Sequence, residues 1–267
     1  MKKYCFLHIS IFFPLLVQSN FDSCVFYNPF SRNPFKDQDK ICLLSKENLK
    51  PKYIELSKFP KIHLFKNCIS EKQRKDLLRL AAQRLSSETD SGFSSSLYLR
   101  DTGDSELPIL KEIAKLAGSL SGIPWNNAEP ISLTKYTLKQ NYGLHYDSGF
   151  LMNGKRTNRK ATVLLYLNHV KKGGETVFPF ATNQTDSIEH KQVERKAIQE
   201  VCASERGVKI PPVLRSCVVF YSHLGEASQV DPLTLHGSCP VLSGEKWIAQ
   251  IWVRGKKENE KDTFWRD

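Results

Sequence analysis

The texture of this chain changes near Pro130, and that change limits the fold more than any other feature. Before it lie two amphipathic helical patterns. In "NCISEKQRKDLLRLAAQRLSS", Ser70 and Gln73 form a capping box, and Leu77, Leu78, Ala81 and Leu85 recur along one stripe. In "SELPILKEIAKLAGSLSG", Pro108 suits a first turn, Leu110, Ile113, Leu116 and Leu120 share a face, and Gly122 suits the stop. After Pro130 come short β-branched and aromatic runs: "ISLTKYTL", "ATVLLYLNHV", "ETVFPF", "SCVVFYS", "PLTLHG" and "KWIAQIWVR". Turn-rich pieces such as "MNGKRTNRK" and "KKGGE" separate them. The reading is α+β: a helical part over residues 56–126 and a β-core over 127–255, with a polar insertion over about 181–207 carrying a short helix. No internal repeat is visible.

The rest of the chain adds flanks. Residues 1–19 combine a basic start with an apolar run that suits a signal peptide or an uncleaved signal anchor. An organelle transit peptide suits this segment less well. Residues 20–55 have no clear period and read as an extended leader. Residues 256–267 read as a charged tail. With 267 residues, there is room for one large domain or two small ones. The net charge of +11 is spread over Lys and Arg that are mostly interleaved with acids, which argues against a nucleic-acid surface. Of the seven cysteines, Cys5 falls in the signal segment; Cys24, Cys42, Cys68, Cys202, Cys217 and Cys239 remain. None forms a C-x-x-C pair, which speaks against a structural zinc site. An even number in a secreted chain permits disulfides. The tripeptide "NQT" at Asn183 is a glycosylation acceptor pattern of a kind common by chance.

Chemistry concentrates in "GLHYDSGF". His145 and Asp147 are spaced to share a strand face, as a pair of metal ligands would. A third ligand must come from elsewhere, and "LTLHGSCP" places His236 in a late strand-like run. A double-stranded β-helix, the jelly-roll or cupin-like architecture, sets an early and a late strand side by side. Two imidazoles and one carboxylate on one side of a metal leave open positions, which suits non-haem Fe(II). His63, His169, His190 and His223 have no partner at strand spacing and read as surface or packing residues. In "KWIAQIWVR", Lys246, Ile248, Gln250, Trp252 and Arg254 share one face. If that face looks inward, Lys246 needs an anion. If Lys246 sits at the strand mouth, its stem can carry the charge to solvent. Periodicity alone does not choose.

The segments "YTLKQNYGLHYDS", "RKATVLLYLNHVKKGGETVFP" and "LHGSCPVLSGEKWIAQIWVR" together resemble the 2-oxoglutarate- and Fe(II)-dependent prolyl 4-hydroxylases of plant and algal type. The resemblance runs in order from about residue 59 to 254 and leaves the leader uncovered. It implies His145, Asp147 and His236 as iron ligands and Lys246 as the partner of the distal carboxylate of 2-oxoglutarate. It also implies Tyr136 and Thr176 as hydrogen-bonding partners of that cosubstrate, with ordinary strand residues as the alternative. Arg159 and Trp252 match positions lining a peptide groove, although "GKRTNRK" offers two arginines. Tyr142 and Tyr146 lie near the expected mouth, either as stacking surfaces for substrate or as half-buried strand residues. Cys202 and Cys239 match cysteines typical of the plant-type members, which implies a disulfide between them; two free thiols, or a Cys239–Cys217 pair, are the alternatives. Cys217 departs from the family, which has Gly-Asp before that strand, and reads as variation at a turn. Gly173 and Gly174 read as turn residues.

What the resemblance implies for activity is hydroxylation of peptidyl proline to 4-hydroxyproline, with O2 and 2-oxoglutarate consumed, succinate and CO2 released, and ascorbate as reductant. The implied partners are extended proline-rich peptides met by a monomer, in the endoplasmic reticulum lumen or anchored to its membrane facing the lumen. The same centre acting on another side chain or a small molecule is the alternative enzyme. A non-catalytic peptide-binding domain on the same scaffold is the alternative outside catalysis.

Overall fold

The computed structural model describes residues 25–26, 39–40, 53–85, 94–101, 103–152, 155–182, 197–224, 229–255 and 265. The signal segment, most of the leader, Cys24, Cys42, Asn183 and His190 lie outside them. Residues 1–42 form one unit, in which Val25–Phe26 (β1) pairs antiparallel with Asp39–Lys40 (β2). Residues 43–267 form the other. No helix among the described residues is long and apolar enough to cross a membrane.

In the second unit, a seven-stranded antiparallel sheet is ordered β3 (Ile54–Ser57), β4 (Ile62–Phe65), β14 (Cys217–Tyr221), β10 (Arg159–Tyr166), β17 (Lys246–Arg254), β6 (Ile131–Tyr136) and β5 (Ser95–Leu99). A four-stranded sheet is ordered β13 (Val208–Ile210), β12 (Thr176–Phe178), β15 (His236–Ser238) and β7 (Tyr142–His145). Two small ladders join β8 (Leu151–Met152) to β9 (Lys155–Arg156) and β11 (Lys172–Gly173) to β16 (Val241–Ser243).

The helices brace the large sheet. Helix α1 (Glu71–Arg84) starts at the expected capping box: Ser70 Oγ accepts from the Gln73 N–H, and the Gln73 side chain accepts from the Ser70 N–H. Helix α2 (Pro108–Ser121) has proline in its first turn and ends at Gly122, whose φ of 71° is the left-handed region. Leu77 and Ala81 of α1 and Leu110 and Ile113 of α2 are buried in one core with Val163, Leu165, Ala249 and Ile251 of the sheet. Strand β17 shows why that face was chosen. Its odd-numbered residues join the helix-side core, while Lys246, Ile248, Gln250 and Trp252 line a cavity of about 1070 Å³ whose walls come from both sheets.

Three expectations are corrected. "PLTLHG" is not a continuous strand: Asp231 caps a 3-10 turn over Pro232–Thr234, and the strand begins only at His236, because Pro232 and the cap favour a turn. His145 ends β7, so Asp147 lies just past the strand in a bend rather than on it. Trp265, in the stretch expected as a charged tail, is 2% exposed and belongs to the helix-side core.

Among the described residues, Cys202 is bonded to Cys239, and Cys68 to Cys217. The second bond pairs Cys217 with Cys68, where the sequence suggested turn variation or, as an alternative, a bond to Cys239. It ties the turn after β4 to the first residue of β14. The first joins helix α3 (Ile198–Ala203) to the residue following β15, with Cα atoms 5.8 Å apart. Gly237 lets these parts close up, since a Cβ there would stand 2.8 Å from Ile198 Cδ1 and 2.9 Å from the Tyr142 carbonyl oxygen. Replacing Cys202 with serine is expected to lower unfolding stability by about 2–4 kcal/mol, read from denaturant midpoints against wild type. No change in midpoint would show that packing alone holds α3 against β15.

Candidate metal centre

Strand pairing brings the distant histidines together. In the β15–β7 ladder, His236 lies directly opposite His145. Their rings are 4.3 Å apart, centroid to centroid. Asp147 completes the group, with Oδ1 3.5 Å from His145 Nε2 and Oδ2 3.7 Å from His236 Nε2. One ligand atom from each of the three lies within 4.8 Å of the others.

The chemistry of this donor set fits a divalent metal. His145 Nδ1 lies 2.9 Å from the Gly143 carbonyl, and His236 Nδ1 lies 2.9 Å from the Thr234 carbonyl. A carbonyl only accepts, so each Nδ1 carries the proton and donates it. Each Nε2 lone pair is therefore left facing Asp147 and available to a metal. Phe178 stacks on His236 at 5.2 Å and Phe220 packs its edge at 4.7 Å, which fixes the ring. Two imidazoles and a carboxylate, with the remaining side open to a cavity, suit Fe(II) with exchangeable positions.

Electrostatics favour the metal-ready state. Burial and the neighbouring His145 push His236 down to about 4, against the opposing pull of Asp147, so its imidazole is neutral at physiological pH. Burial pushes the Asp147 carboxyl up; the electrostatic pull of the neighbouring His236 and His145 and the hydrogen bond from the Thr162 hydroxyl outweigh it and hold the group well below its ordinary range. Because His236 is neutral near pH 7, the bond from Thr162 Oγ1 at 2.6 Å is the steadier of these supports.

Farther into the cavity, Lys246 is 1% exposed, which removes the possibility that its stem reaches solvent. Its ammonium donates to Ser238 Oγ at 2.7 Å and lies over the rings of Tyr136 and Tyr166. Among the described residues, no carboxylate stands within ion-pair distance of it. Burial accordingly pushes Lys246 down to about 7, only partly offset by Glu175. Tyr136 faces Lys246 across the β17–β6 ladder, and burial pushes its phenol up, so it stays a neutral hydroxyl. Thr176 is buried opposite Ser238, and the Tyr166 hydroxyl donates to Thr176 Oγ1 at 2.8 Å. The threonine hydroxyl is thereby free to donate elsewhere. Together these groups make a cationic, hydroxyl-lined end suited to a small carboxylate.

A dicarboxylate there would favour charged Lys246 and raise its pKa. Above about pH 7 the free lysine is mostly neutral, so binding must take up a proton. We expect uptake of nearly one proton per 2-oxoglutarate at pH 8, falling towards zero below pH 6, measured by calorimetry of the Fe(II) protein without O2 in buffers of different ionisation enthalpy. Uptake that does not vary across this range would detach the lysine from the anion.

At the outer end Arg159 is buried: its Nε and Nη2 donate to Glu129 at 2.9 and 2.7 Å, and its guanidinium lies 3.9 Å over the Trp252 ring. Arg254 Nε donates to the same Glu129 carboxylate at 2.9 Å. Tyr98 stacks on Trp252, and Phe150 faces Arg159. The Trp252 indole N–H is buried with no acceptor among the described residues. Tyr142 is 45% exposed and packs edge-on against His145. Tyr146 lines the cavity but its hydroxyl donates to the Pro232 carbonyl. His63 is buried and stacks on Tyr53, His223 is buried with its Nε2 3.4 Å from the hydroxyl of Ser148 beside Asp147, and His169 is exposed.

Thr162, Tyr166, Ser238 and Glu129 were not singled out from the sequence. A signal for two of them existed. Counting by twos in "RKATVLLY" puts Thr162 and Tyr166 on the face opposite Val163 and Leu165 of the helix-side core.

The family model described as the 2OG-Fe(II) oxygenase superfamily matches residues 131–254. Prolyl 4-hydroxylase 1 of Arabidopsis thaliana is 31% identical over 228 residues, covering 80% of this chain and 75% of its own. Probable prolyl 4-hydroxylase 6 of the same plant is 30% identical, covering 78% and 73%. Among solved structures, the viral collagen prolyl hydroxylase of Paramecium bursaria Chlorella virus-1, as its 2OG complex, superposes with a TM-score of 0.53 at 22% identity, covering 73% of this chain and 96% of that one. That likeness speaks to the fold.

Proposed function

Because the chain belongs to the prolyl 4-hydroxylase family of the 2OG-Fe(II) oxygenases, we propose that it hydroxylates peptidyl proline to 4-hydroxyproline in extended, proline-rich chains. O2 and 2-oxoglutarate are consumed; succinate and CO2 are released. The carrying observation is that the His145–Asp147–His236 cluster and the buried, anion-free Lys246 open into one cavity.

Bound iron(II) supplies the redox chemistry that couples oxidative decarboxylation of 2-oxoglutarate to oxygen insertion at a C–H bond. The protein's groups do the rest. His145, Asp147 and His236 would hold the metal, on the side of the cluster that faces the cavity. Lys246 neutralises the far carboxylate of 2-oxoglutarate, with Tyr136 and Thr176 as hydroxyl donors, in surroundings where a charge-assisted bond is strong. The buried walls limit water. At the mouth, Tyr98, Phe150, Trp252 and Tyr142 offer faces for proline rings, while Arg159 and the free indole N–H of Trp252 offer donors for peptide carbonyls. A polyproline II segment presents both at low ordering cost.

The setting follows the same logic. The signal-like residues 1–19 and two disulfides support the secretory pathway, in or facing the endoplasmic reticulum lumen. Ascorbate serves as reductant, and the protein acts as a monomer. Succinate release measured with and without a proline-rich peptide tests the reading. Peptide-dependent release is expected. Release with another substrate only would make this an oxygenase of different specificity, and no release with any would leave a binding domain.

A further inference from the structure

We infer that Trp265 is a positioning residue for the peptide groove, a C-terminal anchor that holds the Ala128–Glu129 segment against the end of β17. The inference rests on the groove reading above. Trp265 is among the largest fully buried side chains described, although it lies beyond a strongly charged stretch. Its indole N–H donates to the Ala128 carbonyl at 3.0 Å, and its ring lies 6.4 Å from that of Trp125. Ala128 bridges to Val253, and the Glu129 N–H donates to the Trp252 carbonyl at 2.7 Å. The Glu129 carboxylate then grips both Arg159 and Arg254. One short segment thus takes its seat from Trp265 and passes it to Arg159 and Trp252.

The positioning argument follows from what removal would leave. Alanine at 265 would empty an indole-sized space beside Trp125 and leave the Ala128 carbonyl without its donor. The segment would relax into that space, and Glu129 would carry Arg159 away from Trp252. Lys246 lies at the opposite end of β17, His145 and His236 stand on other strands, and Arg159 meets Asp147 only through a long bond to its backbone carbonyl at 3.5 Å, so the cosubstrate end should be little affected.

The test compares wild type, Trp265→Ala and Trp265→Phe as full-length protein at a temperature where circular dichroism shows each folded. A synthetic proline-rich peptide is the probe for Kd and KM, and hydrogen exchange is followed in all three. For the alanine variant we expect peptide Kd and KM to rise at least about fivefold, with the KM for 2-oxoglutarate unchanged. Exchange should rise at Glu129 and the start of β10. The phenylalanine variant, keeping the ring but not the N–H, should fall between, and decides the matter alone if the alanine variant does not fold. Exchange changes confined to α2, unchanged peptide constants, or both KM values moving together would overturn the inference. A wild type that binds no peptide would overturn the proposed function instead; the exchange data would still decide whether Trp265 acts on Glu129 and Arg159.

Discussion

Replacing His236 with alanine is expected to abolish turnover and weaken iron binding. Of the proposed ligands only His145 and Asp147 would remain, and His236 is the more buried of the two histidines, packed by Phe178 and Phe220 with its Nδ1 tied to Thr234. Loss of an outer partner of a ligand typically costs ten- to a hundredfold in metal affinity, so loss of the ligand itself should exceed about a hundredfold. The fold should survive, because the four-stranded sheet keeps its ladder. The readouts are bound iron per chain after desalting and succinate formation at ordinary iron concentrations. Substantial turnover by a folded variant would place the third ligand elsewhere.

Replacing Lys246 with alanine acts at the other end of the cavity. Iron should bind as in wild type, while the KM for 2-oxoglutarate rises. A hydrogen bond to a charged group is worth about 1.5–3 kcal/mol, which is roughly ten- to a hundredfold or somewhat more. Stability should not fall in step, because the substitution removes a buried ammonium that burial already disfavours. That combination separates a cosubstrate anchor from a structural lysine. An unchanged KM for 2-oxoglutarate would move the anchor to another group.

Much of this was legible in the sequence because it is local or periodic. The caps of α1 and α2 are set within a few residues, and the alternation in "KWIAQIWVR" puts Lys246 and Trp252 on one face of β17, although only the packing of the other face against the helices turns that face to the cavity. The pairing of His145 with His236 needed the architecture, since nothing local joins them. What stayed hidden was hidden for physical reasons. Glu129 lies in a short irregular link with no period, and its role appears only when Arg159 and Arg254 converge on it from two strands. Trp265 follows a stretch so charged that composition predicts solvent, yet its indole packs into the helix-side core beside Trp125 with its N–H on the Ala128 carbonyl. Cys217 looked like a turn variant because its partner, Cys68, lies 149 residues away.

The most direct measurement counts hydroxylated proline against succinate. Purified protein is incubated with Fe(II), ascorbate, 2-oxoglutarate, O2 and a proline-rich peptide, and both 4-hydroxyproline and succinate are quantified. The account predicts one 4-hydroxyproline for each succinate beyond the peptide-free background. Succinate formed with no 4-hydroxyproline in the peptide would contradict it.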